Sequence, residues 1–91
     1  MYIVRKREYL DRLKDIITFI SRDSTARARQ FKQQIDSRVE ELIYFPYKYR
    51  QSLHHNSVDI RDLIYKGYTI VYRINIAKDK IEIIEIFKWT K

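Results

Sequence analysis

The chain has no cysteine, one glycine, one proline and no long apolar run in its 91 residues. Without cysteine, neither a disulfide framework nor a thiolate metal site is possible. The apolar runs are only a few residues long, far short of the roughly 20 that a membrane-spanning helix needs. With so little glycine and proline there is no flexible or low-complexity tract, and Gly67 and Pro46 become informative as places where the chain must turn or stop. Nothing resembles a signal peptide, because Met1-Tyr2-Ile3-Val4 runs at once into Arg5-Lys6-Arg7. The expectation is one cytoplasmic domain over residues 1–91, with no metal, no other cofactor and no membrane partner.

Charge is abundant and unbalanced. Nineteen Lys and Arg against twelve Asp and Glu give a formal charge of +7 and a sequence pI near 9.7, and 45% of the residues are hydrophobic. That is the mix of a soluble globular domain. Its sign favours an acidic partner: nucleic acid, an anionic surface or an acidic protein.

The stretch that organises the rest is Val58 to Ile76. Tyr68, Ile70, Tyr72, Ile74 and Ile76 alternate with Thr69, Val71, Arg73 and Asn75, and Lys66-Gly67 lies at a reversal, so two strands joined by a tight turn are predicted. Gly67 is expected to take a positive φ there. Upstream, Tyr2 to Lys6 reads as a short strand. Tyr9, Leu13, Ile16, Ile17 and Ile20 then recur at helical spacing, predicting an amphipathic helix from about Arg7 to Ser21. Asp23 or Ser24 can cap a second helix that runs to roughly Tyr44 with Ala28, Phe31, Ile35, Val39, Leu42 and Ile43 as its stripe, before Pro46 stops it. Residues 44–57 read as a loop, Ala77-Lys78-Asp79 as a turn, and Lys80 to Trp89 as a final strand apolar on both faces in places. The order β-α-α-β-β-β predicts a two-layer α+β fold, with a helical hairpin packed on an antiparallel-rich sheet.

Set in that order of elements, three local patterns resemble the RelE/ParE superfamily of bacterial toxins. They are a proline-to-arginine loop after the second helix (Pro46 to Arg50), Ile60-Arg61-Asp62-Leu63, and the run Gly67-Tyr68-Thr69-Ile70-Val71-Tyr72-Arg73-Ile74 ahead of a closing strand of isoleucines. The resemblance covers nearly the whole chain. It implies the toxin of a type II toxin–antitoxin system, a growth inhibitor of the kind tied to plasmid stabilisation. Its partner would be a cognate antitoxin in a hetero-oligomer.

The superfamily has two branches. RelE-like members cleave mRNA on the ribosome, and ParE-like members poison DNA gyrase. Nucleases of this type place an arginine a few residues before the Gly-Tyr turn and a tyrosine or histidine beyond the last strand. Here Ile64 stands three residues before Gly67, and the last strand ends Phe87-Lys88-Trp89-Thr90-Lys91. The ParE-like branch is therefore favoured, with a ribosome-dependent mRNA endoribonuclease as the alternative.

Several side chains are candidates for function, each with a structural competitor. Arg61 and Arg73 lie in otherwise apolar strands and are expected on one concave side, to hold phosphate or an acidic segment or simply to pair with neighbouring acids. Lys88 and Trp89, with Arg61, are the candidate target-binding residues; Trp89 can equally cap the core. Arg27, Arg29, Lys32 and Arg61 are the candidate antitoxin-binding residues, although charges on a helix more often form a solvated face. If the protein is a nuclease, Arg61, Arg73 and Lys88 would steady the phosphate, with His54 or His55 carrying the proton. Adjacent histidines in a polar loop are more often inert. Tyr44, Phe45, Tyr47 and Tyr49, interleaved with Lys48 and Arg50, fit a single-strand binder, but packing of the loop beneath the sheet is the commoner cause of such clustering.

Overall fold

The computed structural model describes residues 1–53 and 55–88. Strand β1 (Tyr2–Arg5) leads straight into helix α1 (Arg7–Ser21), because the Lys6 amide between them donates to the Ile83 carbonyl at 2.9 Å. Tyr9 and Leu13 of α1 are buried, and Ile16, Ile17 and Ile20 pack against the same core, so the predicted stripe is the inward face. Helix α2 (Thr25–Glu40) begins at Ser24, whose hydroxyl accepts from the Arg27 amide at 3.1 Å. Such a cap contributes about 1 kcal/mol.

The second helix ends earlier than its apolar pattern predicts. The last turn tightens into a 3₁₀ segment, Glu41–Ile43, which still buries Leu42 but leaves Ile43 exposed. Pro46 and the residue it constrains lie just beyond. Within the following loop, Arg50–Gln51 form a two-residue edge strand, β2, that periodicity alone had no means of revealing. Strands β3 (Ile60–Tyr65), β4 (Tyr68–Asn75) and β5 (Lys80–Lys88) complete a sheet ordered β1-β5-β4-β3-β2. Only the β1–β5 pairing is parallel.

The β3–β4 turn is the tight reversal expected at Lys66-Gly67, with positive φ at Gly67 as anticipated and at Lys66 as well. Both Lys66 (φ 47°) and Gly67 (φ 82°) are left-handed, as a two-residue hairpin loop requires to match the twist of its strands. A Cβ on Gly67 would meet nothing within 4 Å. Gly67→Ala should therefore cost about 1 kcal/mol from backbone strain alone, read as a lower midpoint in urea with an unchanged slope.

On β5 the alternation breaks. Val71 pairs with Glu85 but Tyr72 pairs with Ile83, so Ile84 is the extra residue of a bulge. The bulge brings Ile81, Ile83 and Ile86 to the core face in place of an unbroken every-second-residue series. This explains why both faces of β5 read as apolar: its inward series changes parity at Ile84. The helices cover that face, where Leu63, Ile70, Tyr72 and Ile74 meet Phe31, Ile35 and Val39.

Candidate functional site

Strand register decides which candidate cations can act together. Arg61 lies opposite Tyr72, on the helix-covered side, whereas Arg73 lies opposite Ile60 and Glu82, on the other side. The expectation that the two arginines share a concave face is thus corrected: an even number of pleats places Tyr72 and Arg61 together, and Arg73 is one residue out of phase. Arg73 donates from Nε and Nη2 to Glu82 Oε1 at 3.0 and 2.7 Å. Lys6 and Lys80 approach the other oxygen at 3.3 and 3.9 Å. Glu82 is only 6% exposed. Burial alone would raise its pKa, but hydrogen bonds from Arg73, Lys6 and Asn75 together with the Arg73 charge outweigh it and hold the carboxyl at about 2.

Arg61 acts on the loop between α2 and β3. Its Nε donates to the Val58 carbonyl at 2.8 Å and its Nη1 to the Tyr49 carbonyl at 3.1 Å, while the guanidinium lies 4.9 Å from the centre of the Tyr47 ring. Tyr47 in turn donates its hydroxyl to Asp59 Oδ1 at 3.0 Å, a bond that raises the phenol pKa. The buried Tyr72 hydroxyl donates to the Pro46 carbonyl at 2.6 Å. Burial pushes this phenol far above its ordinary value, against the pull of the Arg61 charge, so it stays a fixed donor. Among the described residues no carboxylate pairs with Arg61; backbone carbonyls and a ring hold it.

The opposite end of the molecule is the hairpin tip. A hollow of about 300 Å³ lies between α2 and the tip, lined by Ile20, Arg27, Gln30, Phe31, Lys66 and Tyr68. A second, of about 550 Å³ and sharing Tyr68, lies between α1 and the end of β5, with Arg12, Asp15, Ile16, Phe19, Ile86, Phe87 and Lys88. The floor of both is apolar and the rim is mainly cationic. Arg38, whose guanidinium lies 4.7 Å from the Tyr65 ring centre, and Lys66, 5.7 Å from the same ring, extend the positive surface along the hairpin. Among the described residues, Arg27, Arg38 and Lys66 have no carboxylate within ion-pair distance.

The candidate residues therefore separate. Arg27 and Lys88 belong to the tip, on either side of Tyr68. Arg29 is two residues and roughly 200° further round α2 from Arg27, so it faces away from that hollow. Lys32 is paired with Asp36 at 2.6 Å along its own helix. Arg61 precedes Lys66 by five residues, about 16 Å of strand, and so lies at the far end. His55 is exposed, with Nδ1 3.4 Å from Ser52 Oγ. His54 and Trp89 lie outside the described residues. Lys66 was not singled out by the sequence reading; the only signal for it is its place beside Gly67, which holds its side chain at the rim of the hollow. Among the described residues no group of three His, Cys, Asp or Glu is placed to hold a metal ion, and no helix is long and apolar enough to cross a membrane.

With this arrangement in hand, comparison with known proteins is decisive at the level of family. The family model described as "ParE toxin of type II toxin-antitoxin system, parDE" matches residues 3–88. The chain belongs to the ParE toxin family. A solved structure titled "Chromosomal ParDE TA system from P. aeruginosa" has the same fold, with a TM-score of 0.77 at 16% identity over 99% of this chain and 97% of that one. Direct comparison with curated proteins gives no match. The ParE family match runs over residues 3–88, from within β1 to the end of β5, including the loop held by Arg61 and both hollows at the tip.

Proposed function

We propose that this ParE-family chain is a toxin that arrests growth by binding an essential protein in the cytoplasm, DNA gyrase by family, and that a cognate antitoxin holds it inactive. The observation that carries the binding reading is the dispersal of Arg61, Arg73 and Lys88. Cleavage of RNA needs cations converging on one phosphate beside a proton carrier. Here Arg61 braces a loop, Arg73 is engaged by Glu82 on the other side of the sheet, and Lys88, opposite Tyr68, stands at the hairpin-tip end.

The antitoxin is best accommodated at the tip. An acidic segment with apolar anchors would place those anchors in the two hollows beside Tyr68 and its carboxylates against Arg27, Lys66 and Lys88. The second reading, a ribosome-dependent endoribonuclease, is separated from the first by one experiment. Purified protein is added to a gyrase supercoiling assay and to in-vitro translation from the same preparation. Blocked supercoiling with intact mRNA is the expected result. Arrested translation with cut mRNA would reject gyrase as the target and return His54, His55 and Lys88 to candidacy. Silence in both assays from a folded sample would reject gyrase and mRNA alike as targets, in favour of a toxin relic or a toxin with another target.

A further inference from the structure

The loop between α2 and β3 is rigid where it meets the sheet and aromatic where it meets water. Tyr44, Phe45 and Tyr47 are 76%, 65% and 45% exposed. Packing beneath the sheet, the ordinary reason for such a cluster, is therefore not what these three rings do; only Tyr49 packs against the core. Side chains of this kind carry roughly 150–250 Å² each, so the three rings alone present roughly 300–450 Å², the size of the largest apolar patch on a typical monomer. Val58, also exposed, joins them through the Arg61 clamp, and Phe45, Pro46, Tyr47 and Lys48 line an open hollow of about 600 Å³.

The charge on this surface differs from that of the tip. Arg61 is engaged with two carbonyls and a ring, Asp59 accepts from Tyr47, and Arg50 lies 3.8 Å from the buried Asp62 carboxylate. Lys48 Nζ lies 5.6 Å from the centre of the Tyr49 ring, and the carboxylates of Asp59 and Asp62 offset most of the charge that Lys48, Arg50 and Arg61 bring. What remains on display is aromatic surface with little net charge. An acidic chain or a nucleic acid strand would gain little here and would favour the cationic tip. A protein cleft that is apolar and weakly charged would accept these rings as anchors, the role that exposed aromatic side chains on a fixed backbone fill at interfaces.

From this we infer that the 44–47 aromatic loop is the surface that engages the growth-essential protein target, at the end of the molecule away from the antitoxin's cationic tip. The inference rests on the toxin reading above and adds a division of labour to it. One end is recognised through charge, and the other anchors through rings held by Tyr72 and Arg61. The two surfaces are far enough apart for separate substitutions to act on each.

The test compares the wild-type chain with Tyr44→Ser/Phe45→Ser and with Lys14→Ser, a solvent-facing change on α1. Each is induced in bacterial cells, and each is purified for thermal unfolding and sedimentation velocity. Tyr44 and Phe45 are mostly exposed and stand outside the core cluster, so the double variant should unfold within a few degrees of wild type. Wild type and Lys14→Ser should lower colony counts alike, and the double variant should restore them by at least about 100-fold while remaining soluble and monomeric. Equal killing by the double variant would overturn the assignment of the loop. So would a wild-type dimer that the double variant dissolves, which would make the loop a self-interface, or binding of labelled oligo(dT) that the double variant abolishes. If wild type itself leaves growth unaffected, the toxin reading falls and this inference falls with it. That failure is distinct, because it shows before any variant is compared.

Discussion

Glu82→Gln should lose about 2 kcal/mol at neutral pH and should flatten the acid response of the protein. The carboxylate sits under three cations, Arg73, Lys6 and Lys80, and its folded pKa of about 2 lies below the ordinary carboxylate value of 4.5. Below pH 4.5 the unfolded chain takes up a proton that the folded chain refuses, so stability falls as pH drops from about 5 towards 2. The Arg73 side chain is half exposed, so water screens part of the attraction, and the loss across that window should be about 1–2 kcal/mol. Glutamine keeps the shape and one acceptor but leaves the cations facing one another without a counter-charge. Urea midpoints measured from pH 7 to pH 2.5 should converge for wild type and variant as the pH falls. Parallel curves, equally separated at every pH, would show that the carboxylate charge contributes nothing.

Arg61→Ala should produce the second large effect, about 2–3 kcal/mol with a loosened 44–58 loop. It removes two hydrogen bonds to carbonyls and the cover on the Tyr47 ring, each worth about 1 kcal/mol in a partly buried setting. Arg61→Lys should recover little, because an ammonium cannot reach two divergent carbonyls and lie flat on a ring at once. The informative readout is amide exchange. Protection should fall at residues 47–60 but hold on β4 and β5, since those strands keep their own pairings. Uniform loss of protection would show that Arg61 supports the whole sheet and not the loop alone.

Much of this was legible in the sequence, and the failures have identifiable causes. Helix α1 matches its pattern from Arg7 to Ser21 because its apolar stripe has one period and clear ends. The order of elements apart from β2 and the turn at Gly67 were equally readable, because one glycine between alternating strands has few other uses. The inward residues of β5 were not, since a bulge at Ile84 changes parity without leaving a mark in composition. The face of Arg73 was lost for the same kind of reason: facing depends on register, and register depends on pairings between distant segments. Residue type and charge were enough to nominate Arg27, Lys88 and Arg61 as binding candidates, but which of them stand together is a property of the fold. Residue type can nominate Arg61 for a site; only the positions of Tyr49 and Val58 show it bracing a loop.

Strand β1 has a further consequence, one of timing. It is made before every other element of this fold, yet Tyr2 pairs with Lys80 and Arg5 with Ile83. Its partner is made long after it, and the loop-closure entropy of that pairing is among the largest in the fold. While β1 waits, the α-hairpin has only the β3–β4 hairpin to cover its stripe, and Ile81, Ile83 and Ile86 are still missing from the core. A nascent chain that lacks β5 is thus unable to complete the tip hollow that Ile86, Phe87 and Lys88 line.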